Sequence, residues 1–178
     1  MKLNHSLIVA GFAALIVFSS SNAVASGKLD DATILAIFDQ ANAVDISTGW
    51  LGVKYGHSKE IRDLGKMVAT DHIAVQQMGR DLAKKLNIVP IPPDNDASAS
   101  DHAKTVALLQ SKSGSEFDEA YLQHEIAFHQ SVIDAVKGTL LPAISNAEFS
   151  ALVKKVLPGF EQHLTETKAV AKKLGVTY

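Results

Sequence analysis

Five titratable side chains stand on helical stripes that should otherwise be apolar, and they define the chemistry to be explained. Asp45 falls on the ladder Ile34, Phe38, Ala41, Asp45, Thr48, Gly52, Tyr55, whose steps of three and four mark one face of a helix. His72 falls on Ile61, Gly65, Val68, His72, Val75, Gly79, Leu82, Leu86. Glu125 and His129 share a stripe with Leu122, Val132 and Val136, and His163 lies between Phe160 and Thr167 on a stripe from Phe149 to Leu174. A buried imidazole or carboxylate without a partner is costly, so such groups occur inside only when paired, hydrogen-bonded or bound to a metal. Three imidazoles and one carboxylate suit Zn²⁺, Fe²⁺, Mn²⁺ or Cu²⁺, with zinc and iron the leading candidates. Glu125 is then a fifth ligand or a partner that orients a histidine. Asp45, His72, His129 and His163, with Glu125, thus form a candidate mononuclear metal site. The competing expectation is a metal-free layer in which Asp45 and Glu125 satisfy the histidines and only fix the helix register, as in a structural or interaction module.

The elements that must position these groups are all helices, because the chain lacks short β-branched runs of period two. The first helix is expected from Asp30 or Asp31 to about Tyr55-Gly56, and the second, capped by Ser58, to about Leu86. Val89 to Ser100 is Pro-rich and aperiodic, followed by a short helical piece over Asp101 to Gln110. A capping box of Ser115 with Asp118 is expected to open the third long helix, which stops at Gly138. A second box, Ser145 with Glu148, opens the fourth, which kinks at Pro158-Gly159 and ends at Gly175. The fold expected is an all-α four-helix bundle with a longer, partly helical crossover between the second and third long helices.

Facing is not enough, since inward groups at different heights could not meet. Heights are counted from the end where the first helix starts, the second stops, the third starts and the fourth stops. On that basis Asp45, His72, His129 and His163 lie roughly 11 to 15 residues in, or about 16 to 23 Å at 1.5 Å per residue. They share one layer. His57 and His102 are expected to be solvated, and His124 to face away from the cluster. Trp50, Phe38, Phe117, Tyr121, Phe128, Phe149 and Phe160 read as core or interhelical packing.

Composition narrows the functional classes. The formal charge is −2 with both signs interspersed, which gives no electrostatic footprint for nucleic acid. The absence of cysteine excludes thiolate metal sites, c-type haem attachment, a lipidated cysteine and thiol redox chemistry. Met1 and Lys2, the apolar run Leu7 to Phe18 and the small-x-small triplet Ala23-Val24-Ala25 compose a secretory signal, with cleavage expected after Ala25. The run is about a dozen residues, short of the roughly 20 that span a bilayer, so no stable membrane segment is expected after cleavage. Residues 1–25 are the expected signal peptide and residues 26–178 one domain, exported to the periplasm or outer envelope. No nucleophile, phosphate loop or cofactor motif favours an enzyme, although a metal-dependent oxidoreductase with an open coordination position is a third expectation. No feature identifies a protein partner.

Several segments together carry a family resemblance: Met67-Val68-Ala69-Thr70-Asp71-His72, Phe117-Asp118-Glu119-Ala120-Tyr121 with Phe128-His129-Gln130, and Leu157-Pro158-Gly159-Phe160-Glu161-Gln162-His163-Leu164. From Ile34 to Leu174 the chain resembles a bacterial family of exported ferritin-like proteins, labelled a domain of unknown function or a predicted outer-membrane protein. The resemblance implies a ferritin-like four-helix fold in the envelope, with His72, His129 and His163 as family-pattern residues, and brings no settled activity. The chain departs from the di-iron pattern of Glu-x-x-His on two helices, offering Glu125-x-x-x-His129 and Glu161-x-His163 instead. That spacing argues against ferroxidase or iron-storage chemistry.

Overall fold

The computed structural model describes residues 29–178, and the expected signal peptide lies outside them. All regular structure among the described residues is helical: α1 (Asp31–Tyr55), α2 (Lys59–Leu86), α3 (Ser98–Gln110), α4 (Gly114–Ala135), α5 (Leu141–Ala143) and α6 (Ala147–Leu174). A π-helical turn, Val136–Leu140, joins α4 to α5. Among the described residues no helix is long and apolar enough to cross a membrane.

The helix ends follow local chemistry. Asp30 accepts the Thr33 amide at 2.9 Å, and Ser58 accepts that of Ile61, so both expected caps on the first hairpin are present. Asn87 ends α2 and Gly175 ends α6, each in the left-handed conformation. The crossover helix α3 begins at Ser98, three residues ahead of the expected Asp101.

Three boundary expectations are corrected. Ser115 does not open α4, which starts at Gly114 after Ser113, and Asp118 is not part of a capping box. Its carboxylate instead accepts the backbone amides of His57 and Ser58 at 2.7 and 2.8 Å, tying down the α1–α2 turn. Ser145 does not cap α6; Asn146 does, accepting the amides of Glu148 and Phe149, while Ser145 binds the Asp31 carboxylate. Gly138 does not stop the third long helix either. The chain continues through the π turn to Ala143, because Gly138 is exposed with helical neighbours and Pro142 sits in the first turn of α5, where its missing N–H is harmless. Pro158 lies within a continuous α6 on its solvent face, where water can stand in for the backbone hydrogen bond that a proline cannot donate.

The long helices pack as two hairpins, α1 with α2 and α4 with α6, joined face to face by α2 against α6 and α1 against α4. Polar ties fix their directions. Asp31 at the start of α1 holds Ser145 and Asn146 just before α6, and Lys85 at the end of α2 pairs with Glu148 of α6. At the other end Asp118 of α4 holds the α1–α2 turn, and Lys173 at the end of α6 meets Glu60 of α2 at 2.6 Å. The first helix and α4 therefore start at opposite ends, so the expectation that they share an end is wrong. The crossover runs the length of the molecule: its start is pinned where the Ile91 amide meets the Ala32 carbonyl, and α3 lies against α1 and α4.

Close contact between α1 and α2 depends on paired glycines. A Cβ on Gly49 would lie 2.8 Å from the Gly65 carbonyl oxygen, and one on Gly65 would lie 2.5 Å from that of Gly49. Removing both side chains lets the backbones approach, and this brings the inner faces of α1 and α2 together at the level just beyond Asp45 and His72.

Candidate metal centre

The polar layer forms, by a different route from the one expected. Asp45 lies 14 residues after the start of α1, His72 14 before the end of α2, and His163 16 after the start of α6. With α4 reversed, His129 would be only 6 residues from the end of α4 at Ala135 and out of register. The π turn and α5 restore it, since His129 lies 14 residues before Ala143. All four side chains are buried, as is Glu125, which has no exposed surface.

Contacts within the layer are close. The His72 Nε2 lies 3.4 Å from Asp45 Oδ2 and 3.3 Å from His163 Nδ1, and the ring centroids of His72, His129 and His163 are 5.2 to 5.6 Å apart. His72, His129 and His163 each offer one ring nitrogen within 4.8 Å of the others, and Asp45, Glu125 and His129 form a second such triad. These buried groups could hold a metal ion, and His129 belongs to both triads.

The hydrogen-bond network decides where each imidazole carries its proton. Asn42 donates its amide to the Phe38 carbonyl at 2.7 Å, which leaves its Oδ1, 2.9 Å from His72 Nδ1, to accept. His72 must therefore donate from Nδ1 and keep a lone pair on Nε2. His129 Nδ1 faces the Glu125 carbonyl at 3.0 Å, an acceptor only, so its lone pair is on Nε2. His163 Nε2 faces Asp71 Oδ2 at 3.0 Å, which as a neutral ring leaves the lone pair on Nδ1. Each ring is thus oriented by an outer oxygen, the arrangement usual for metal-ligating histidines.

The inner atoms have only loose neighbours, such as His129 Nδ1 at 3.5 Å from Glu125 Oε2. Asp45 Oδ1, both Glu125 oxygens, His129 Nε2 and the Tyr121 hydroxyl are buried with no hydrogen bond from the described residues. Burial, then the neighbouring His129 and His163, depresses His72 to about 2, and burial followed by His163 takes His129 to about 3. Burial raises Glu125 to about 7 against the opposing hydroxyls of Thr48 and Tyr121, and burial with the Glu125 charge holds Asp45 well above the carboxylate range. The interior resists charge of either sign on these groups one at a time, which a bound cation would reverse for the carboxylates.

A family model described as Domain of unknown function (DUF4142) matches residues 18–170, most of the chain. The chain belongs to this family. No curated protein and no solved structure matches it. Within this DUF4142 domain, all five residues expected from the sequence lie in one layer. Asn42, Asp71 and Tyr121 were not anticipated. Asn42 stands three residues before Asp45 on the same face, and Tyr121 four before Glu125, so helical spacing held a signal for both. Asp71, next to His72 and 54 % exposed at its side chain, held none.

Two minor expectations are corrected. His102 is half-buried, not solvated, with Nε2 3.0 Å from Ser47 Oγ on α1, because α3 folds onto that helix. Trp50 is 46 % exposed, not core, since it sits beside the buried Gly49 on the outer side of α1. His124 stays out of both triads, and burial, with His102 nearby, depresses it to about 4.

Proposed function

We propose that this chain is an exported, ferritin-like four-helix protein that holds one divalent transition metal, zinc or iron, and serves in envelope metal handling or stress defence. The observation that carries the metal reading is the convergence of three buried imidazoles, each offering a ring nitrogen within 4.8 Å of the others and each with one nitrogen facing an oxygen outside the triad. Lone pairs on His72 Nε2 and His163 Nδ1 at 3.3 Å repel unless a cation or a proton lies between them. Asp45 and Glu125 supply the negative charge that a divalent ion needs. Ferritin-like architecture is supported by two antiparallel hairpins joined through a lengthwise crossover, and export by the triplet at Ala23–Ala25.

Metal content of the protein purified without an affinity tag tests the reading. About one ion per chain is expected, falling to a small fraction in His72→Ala and His129→Ala, and sub-stoichiometric metal in every preparation would overturn it. Amino-terminal sequencing of material from the periplasm tests export, with Ser26 expected first. One observation favours a second, metal-free reading: the His163 ring bridges His72 and Asp71 at 3.3 and 3.0 Å, so the polar layer can tie itself together without an ion. In that case a chelator leaves the melting temperature unchanged, whereas loss of a ligand bound only to the folded state lowers it.

A further inference from the structure

An apolar cavity of about 30 Å³ abuts the centre on the side facing the α1 start and the π turn. Its walls are Ile34, Ile37, Val132, Val136, Leu140 and Val153, contributed by α1, α4, the π turn and α6. Only at its inner end does it meet polar side chains: Asn42, Asp45, His72 and His129. The volume corresponds to about two water-sized spheres, and its aliphatic end offers water no hydrogen bond, so that end favours a guest without polar groups.

We propose that this cavity is a binding site for a small uncharged molecule of diatomic size, held with one end against the metal centre. Two independent features support a site over a packing flaw. Two of the residues that close its inner end, Asp45 and His129, each carry a buried atom without a partner. The π turn, a geometry that recurs at functional sites and is otherwise rare, supplies Val136 and Leu140 to the wall. Small side chains, Ala41 and Ala135, line the cavity where any larger aliphatic residue would fill it. An anion or cation would have to shed its hydration against aliphatic walls, which restricts the guest to neutral molecules. The site rests on the metal reading for the end at which the guest is held, but not for its existence.

Two measurements separate these dependences. Crystals of the full metal-free chain under xenon pressure should show an anomalous peak between Ile37, Val132 and Val136, lost in Ala135→Leu and reduced in the milder Val132→Ile. A wild-type crystal without that peak overturns the proposal. Nitric oxide added anaerobically to Fe²⁺-loaded protein should alter the iron spectrum, with at least a tenfold weaker response in Ala135→Leu at unchanged iron content. Xenon in the cavity together with an iron spectrum indifferent to nitric oxide overturns the proposal, reducing the cavity to a void. Failure to retain Fe²⁺, Zn²⁺ or any other divalent ion overturns the metal reading instead, and the xenon peak alone then decides whether the cavity takes a guest.

Discussion

His72 Nε2 and His163 Nδ1 face each other at 3.3 Å, and each ring has its other nitrogen aimed at an oxygen acceptor, Asn42 Oδ1 and Asp71 Oδ2. Two neutral imidazoles in that arrangement point lone pair at lone pair. The geometry is at rest only with a positive species between them, and His129 Nε2 and Asp45 Oδ1, both without hydrogen bonds, belong to the same layer of groups that could hold a metal ion.

Asn42 should act on the metal without touching it. In Asn42→Ala the acceptor that fixes the His72 proton on Nδ1 is gone, so metal affinity should fall about 10- to 100-fold while helix content is retained. Competition with a chromophoric chelator measures this, and unchanged affinity would sink the assigned tautomer.

Glu125 should reveal itself through pH. Its folded value of about 7 exceeds the ordinary glutamate value of 4.5, so its proton-linked stabilisation is present below about pH 4.5 and is lost as pH rises through about 7. In chelator, Glu125→Gln should therefore gain stability relative to wild type as pH is raised across that window, read from urea midpoints. The depressed His72 and His129 act oppositely: their contribution is present above about 6.5 and is lost as pH falls toward 2 to 3.

Metal binding should carry the pH signature of the same carboxylate. A cation needs Glu125 ionised, so zinc affinity measured by calorimetry should rise as pH climbs through about 7, with protons released on binding. In Glu125→Gln that dependence should flatten.

Gly65→Ala should destabilise the fold by about 1–3 kcal/mol, since the added carbon meets the Gly49 backbone oxygen and neither helix can yield without moving the other. The comparison substitution Gly138→Ala, in open space, should be neutral or stabilising.

Asp118→Ala should cost about 1–3 kcal/mol by leaving the His57 and Ser58 amides without their acceptor. Amide exchange should accelerate in the α1–α2 turn before it does in α3, the result that separates a local tie from a general loss of stability.

The ladders of three and four were legible because burial selects side chains one helix at a time, and each ligand-bearing stripe could be read within its own segment. Asp45, His72, Glu125, His129 and His163 are all buried for that reason. The spacing of Asn42 to Asp45 was equally local, although an asparagine on an apolar stripe is easily passed over. Ser115 and Ser145 looked like caps because only near neighbours were visible, whereas Asp118 and Asp31 take partners 60 and 114 residues away.

Helix direction was beyond the sequence. A crossover of this length can return along the molecule or turn back at the same end, and no periodicity distinguishes the two. The polar ties of Asp31 and Asp118 are contacts between distant segments, formed only when the hairpins dock. So is the register of His129, which depends on the helix passing Gly138 through a π turn to Ala143. The sequence by itself determined the inward stripes of the long helices and the five titratable side chains that stand on them, since both follow from side-chain type and helical repeat. Tertiary structure decided that they meet at one height, which imidazole nitrogen faces inward and that a cavity adjoins them, because these are properties of helices packed against one another.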